Sequence, residues 1–155
     1  MRTMTAGRRP RARLRLAVKL SAMKPELRKY FDRHLEHVLA RLPPQARKLL
    51  DDVPLYVEDY PSRETMREMG VRRRDELCGL YSGTPLIDRS IQAEPTPHLS
   101  DVVQIYREGI LSLAIDENGA VDEAELREQI RVTILHELGH YHGLDEDDLE
   151  KLGYD

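Results

Sequence analysis

A chain of 155 residues with 34% charged and 40% hydrophobic side chains, one cysteine, no tryptophan and a net charge of −4 has the length for one core and not two. One cysteine excludes an internal disulfide and fits a reducing, cytoplasmic setting. No hydrophobic run approaches the roughly 20 apolar residues that a membrane-spanning helix needs, so a membrane partner is not expected.

The charge is unevenly spread. Residues 1–24 hold Arg2, Arg8, Arg9, Arg11, Arg13, Arg15, Lys19 and Lys24 and no acid, a net of +8 that leaves −12 for the rest. An Arg-rich, acid-free head can act as a nucleic-acid or membrane-surface arm or imitate a transit peptide. Met23, Lys24 and Pro25 stand directly before the first helical pattern. The simpler expectation is therefore a disordered basic extension over residues 1–22, or an upstream start that is not used, followed by a single domain over residues 23–155.

From Pro25 onward Leu27, Phe31, Leu35, Val38, Leu39 and Leu42 recur at threes and fours, which predicts a helix opened by Pro25 and stopped by Pro43 and Pro44. His34 and His37 lie on it with no cysteine or suitably spaced acid beside them, and are expected as surface or boundary residues. Residues 55–58 predict a short strand, and Ser62 predicts a cap for a helix that runs through Met69 and ends at Gly70. Residues 77–82 alternate and meet a turn at Gly83, Thr84 and Pro85, after which Leu86 and Ile87 begin a return strand. Cys78 sits in that alternation and is expected as a small core residue, not a nucleophile. Residues 93–100 carry two prolines and predict a loop, and residues 102–106 are β-branched enough for another strand.

Residues 114–125 imitate a calcium loop, with oxygen ligands at positions 3 and 5, Gly119 at 6 and Glu125 at 12. Position 1 is Ala114, which cannot coordinate, so the expected structure is an Asn118-Gly119 turn followed by Asp122 as a helix cap. The last helix, from about Asp122 to Tyr141, places Leu126, Ile130, Ile134 and Leu138 on one ridge for the core. Strands grouped before a long terminal helix predict an α+β fold, a small mixed sheet packed on helices.

That helix carries His136, Glu137, Leu138, Gly139 and His140, followed by Gly143 and Glu146: H-E-x-x-H-x-x-G-x-x-E. Histidines four apart lie about 40° apart around a helix and about 6 Å along it, so both imidazoles reach one ion. They also stand well away from the apolar ridge, so one helix can face core and metal together. Glu137 points to the neighbouring side, where a carboxylate serves as general base instead of ligand. Gly143 can take positive φ, end the helix and let Glu146 turn back as third ligand. His142 points away from the pair and is expected to be structural or exposed.

Residues 136–154 resemble a small bacterial family of zincin-like proteins, the minimal matrix-metalloprotease-like domains, whose motif is H-E-x-x-H-x-x-G-x-x-D. Residues 77–86 resemble that family's central hairpin and residues 149–154 its ending, so the resemblance covers about residues 25–155. It implies a zincin-like α+β fold, a Zn2+ cofactor, His136 and His140 as ligands, Glu137 as base, and Glu146 at the position of the family's Asp ligand. Glu is one methylene longer than Asp, which leaves Asp145 and Asp147 as alternatives. Every methionine lies at or before Met69, so the methionine turn of metzincins has no counterpart after the motif.

The expected activity is zinc-dependent peptide hydrolysis on a peptide or protein substrate, laid along an exposed edge strand at residues 102–106. The terminal Tyr154 could polarise a carbonyl but more often such a residue packs. The main alternative is a noncatalytic zinc-stabilised module that binds a partner protein. A metal-dependent endoribonuclease shares the H-x-x-x-H spacing, but Glu137, the missing third histidine and the acidic body, which offers phosphates little attraction, argue against it and against nucleic-acid partners. Sequence leaves the oligomeric state open.

Overall fold

The computed structural model describes residues 2–5, 22–83, 101–145 and 147–148. Its elements, in chain order, are β1 (Arg2–Thr5), α1 (Pro25–Leu39), α2 (Pro44–Asp52), β2 (Leu55–Glu58), α3 (Arg63–Met69), a 3₁₀ turn (Arg74–Glu76), β3 (Leu77–Ser82), β4 (Val102–Tyr106), α4 (Arg107–Ala114) and α5 (Glu123–His142). The fold is α+β, with one mixed sheet in the order β1-β3-β4-β2. β3 runs antiparallel to both β1 and β4, and β2 is parallel to β4. Among the described residues no helix is long and apolar enough to cross a membrane.

Pro25 opens α1, and Phe31, His34, Leu35 and Val38 bury one face of it. The helix ends at Leu39, three residues before the apolar periodicity does. Pro43 biases Leu42 away from helical torsions, and Leu42 stays buried without being helical. The same prolines then start α2, where Pro44 takes the first turn and loses no hydrogen bond by lacking an N–H. α3 follows its local signals: the Ser62 hydroxyl accepts from the Thr65 N–H at 3.1 Å, and Gly70 closes the helix at φ 66°.

One face of the sheet joins α1, α4 and α5 in the main core, with Cys78, Tyr81, Val103 and Ile105 meeting Phe31, Ile110, Leu126, Ile130, Ile134 and Leu138. Leu77, Leu80 and Tyr106 pack on the opposite face with Met69. The strand at residues 102–106 is therefore not the exposed edge expected from its sequence. It lies between β3 and β2, because β3 pairs with it on one side and β2 in parallel on the other. The edges are β1 and β2. Part of the basic head, read from sequence as an extension outside the domain, supplies β1. The return strand at residues 86–87 and the loop at 93–100 lie outside the described residues.

The calcium-like loop is a turn. The Asp116 carboxylate accepts from the N–H groups of Asn118 and Ala120, Gly119 stands at φ 82°, and Ile115 bridges Val121. Asp122 then caps α5 by accepting from the Glu125 N–H at 3.0 Å.

A charged cluster fastens α1 to the sheet. Arg107, buried at the start of α4, gives one nitrogen to Asp59 at 2.9 Å and two to Asp32, while Arg28 also donates to Asp59. His34 is buried, contrary to its sequence reading, because it faces α5: its Nδ1 accepts from Arg127 Nε at 3.0 Å. Burial, and then the neighbouring Arg127 charge, holds His34 below the ordinary histidine pKa.

Arg107→Met is expected to cost about 2 kcal/mol, below the roughly 3–5 kcal/mol of fully buried pairs, since Asp59 keeps Arg28 and Asp32 is half exposed; urea unfolding reads it. The Arg28 hydrogen bond, and then the charges of Arg28 and Arg107, hold the Asp59 carboxyl below its usual pKa. A depressed carboxylate stabilises the fold above its unfolded pKa of about 3.9 and loses that contribution as pH falls through the folded value. Thermal unfolding of Asp59→Asn between pH 7 and 3 should therefore show a shallower loss of stability below about pH 4 than the wild type.

Candidate active site

The second half of α5 is buried almost all round, from Ile130 through Tyr141. Leu126, Ile130, Ile134 and Leu138 fill the core, as their spacing predicts, and His136, Glu137 and His140 occupy another side, also buried. The imidazoles of His136 and His140 meet edge to face, with centroids 4.6 Å apart and Nε2 atoms 3.0 Å apart. Nδ1 of His140 lies 3.1 Å from the Leu144 carbonyl oxygen. With that nitrogen as donor, the tautomer places the lone pair of His140 on Nε2, facing its partner.

The Leu144 carbonyl reaches His140 because the helix ends in a Schellman turn. Gly143 takes φ 98°, its N–H bonds the His140 carbonyl, and the Leu144 N–H bonds the Gly139 carbonyl. A side chain at Gly143 would be strained in this left-handed conformation. One glycine thus both ends the helix and turns the chain so that the Leu144 carbonyl meets the His140 ring.

Glu137 meets the sheet at Gly79. A Cβ built on Gly79 stands 2.8 Å from Thr133 Cγ2 and 3.1 Å from both Glu137 Cγ and the Gln104 carbonyl oxygen. β3 therefore lies against α5 at the level of the acid, an approach that only glycine permits. Sequence reading missed Gly79 and Thr133 as parts of this site. The available signal was a glycine within an alternating strand, which marks a bulge or a close backbone approach. Tyr81, two residues on, stacks edge to face on Tyr141 at 5.8 Å and donates from its hydroxyl to Asp101 at 2.6 Å, which ties β3 to α5 beside the histidines.

Cys78 is buried, and desolvation, followed by the charge of Glu137, pushes its pKa up to about 12. It is a core residue, as expected. His142 is exposed. Glu146 and Tyr154 lie outside the described residues. Asp145 and Asp147 are exposed, and Asp145 accepts from the Asp148 N–H at 2.9 Å. Among the described residues no third His, Cys, Asp or Glu joins the two histidines in a metal-holding group.

The donor set fits a metal nonetheless. Two nitrogens on a tetrahedral zinc, each about 2.0–2.1 Å from it, stand about 3.3 Å apart, close to the 3.0 Å seen here. Two imidazoles with converging nitrogens and a buried carboxylate one residue along are groups of the kind that hydrolytic metal centres employ.

A sequence profile of zincin-like metallopeptidases matches residues 50–154. The chain belongs to the zincin-like metallopeptidase family. Among curated proteins none matches it.

Gly79→Ala is expected to destabilise the fold by about 1–3 kcal/mol through overpacking. Thr133→Ser, which removes the nearest methyl, should return part of that loss when combined with it. A double-mutant cycle in urea checks the coupling, and strict additivity would mean that this contact does not set the spacing of β3 and α5.

Proposed function

We propose that the chain is a zinc-dependent peptidase in which His136 and His140 hold the metal, Glu146 completes the ligand set and Glu137 is the general base. The observation that carries this reading is the convergence of the two Nε2 atoms to 3.0 Å within an H-E-x-x-H helix. Support for Glu146 comes from the turn at Gly143, which brings the Leu144 carbonyl back to His140 two residues earlier.

Zinc, when bound, supplies Lewis acidity that brings the pKa of water toward neutrality and polarises a carbonyl. Glu137 accepts the proton of the attacking water at a carboxylate oxygen and delivers it to the departing amide nitrogen, so that acid and base are one group used twice. Leu144 keeps His140 in the tautomer that presents Nε2, and Gly79 lets the strand backbone come down to the level of Glu137. An extended peptide that takes the place of β1 on β3 would hold its amide beside that carboxylate, with its backbone satisfied by the sheet.

Glu137→Gln should lower peptidase turnover by about 10²- to 10⁴-fold while zinc, measured by atomic emission, stays near one per chain. Turnover that survives the change rules out Glu137 as base. Chelation should lower the melting temperature and abolish turnover, and restored zinc should recover both. Recovery of stability with no turnover on any peptide pool would mark a noncatalytic zinc module.

A further inference from the structure

The outer side of β3, the strand that lies against Glu137, is occupied by the chain's own head. Arg2 pairs with Tyr81, Thr3 with Leu80, Met4 with Gly79 and Thr5 with Leu77, antiparallel, and the register shifts between Met4 and Thr5. The backbone of β1 also lies beside α5. Met4 thus stands opposite the one β3 residue whose close approach to Glu137 defines the level of the acid. Under the peptidase reading, an extended peptide that paired with β3 would take this same place.

We propose that residues 2–5 are an exchangeable, self-bound strand that occupies the peptide-docking edge of β3 and competes with incoming extended peptides. Its effect on turnover rests on the peptidase reading above; the exchange of strands does not. Four residues make a short strand, near the lower limit for pairing, and the register shift interrupts the ladder. Such a strand holds its place largely through backbone hydrogen bonds, which any peptide can offer. The strand is covalently continuous with α1, so its pairing with β3 is intramolecular and covers a sheet edge that would otherwise present unpaired N–H and C=O groups.

The test uses the full chain with Thr3→Pro and Met4→Pro. Alternate residues of an antiparallel strand turn their N–H toward the partner, so one of two adjacent prolines removes a ladder donor whichever residue that is. A head seated nine-tenths of the time lowers apparent affinity about tenfold. The variant should therefore show a KM about tenfold lower on extended peptides, with kcat and zinc content unchanged. A fluorescent peptide of residues 1–8 should bind the variant at least tenfold more tightly than the wild type, by anisotropy. In the wild type, hydrogen exchange of the amides of residues 2–5 should be much faster than that of residues 103–106.

Equal KM together with equal binding of the labelled peptide would overturn the inference. So would amides of residues 2–5 protected as strongly as those of β4, or loss of cooperative unfolding in the variant, either of which makes β1 an integral strand. Selective binding of the labelled peptide with no turnover in either form would leave strand exchange standing and bring down the peptidase reading instead.

Discussion

Two imidazole nitrogens 3.0 Å apart on consecutive turns of α5 set the terms for the rest of the molecule. Such nitrogens meet productively only if the helix is regular between them, dry around them and ended soon after them. Regularity comes from the ridge of Leu126, Ile130, Ile134 and Leu138, which anchors α5 in the core over several turns. Dryness comes from β3, whose residues 77–81 are all buried, and from the glycine that lets this strand close down on Glu137. The end comes from Gly143, whose left-handed turn returns a carbonyl to His140. Burying a carboxylate and two imidazoles side by side carries a desolvation cost that a divalent ion is suited to offset.

The parts of the fold that local chemistry dictates were legible in the sequence. Ser62 and Gly70 bound α3, Asp122 and Gly143 bound α5, and Asp116 with Gly119 turns the loop that imitates a calcium site. Each is a side chain or glycine acting on backbone within four residues of itself. The pairing of His136 with His140 belongs to this class, since an i,i+4 spacing is a statement about one helix.

What escaped the sequence is what depends on partners far along the chain. α4 follows β4 with no intervening loop, so no turn signal between Tyr106 and Arg107 marks the change of element. Strand order has no local signature either. Residues 102–106 resemble an edge strand as well as an inner one, and only the parallel pairing with β2, 48 residues earlier in register, makes them inner. His34 is buried because Arg127, on a helix 93 residues away, supplies its hydrogen bond. Gly79 is the intermediate case: its presence in the strand could be noticed, but the helix that requires it could not be named.

The burial of Cys78 has an effect beyond packing. The protein's one sulfur nucleophile stays a thiol at any physiological pH, sealed beneath β3 against α5. A thiol so buried and neutral is poorly suited to ligate a metal or to form a sulfenic acid when peroxide rises. Under the peptidase reading, Cys78 therefore lends the neighbouring histidines no sensitivity to the thiol–disulfide poise of their surroundings.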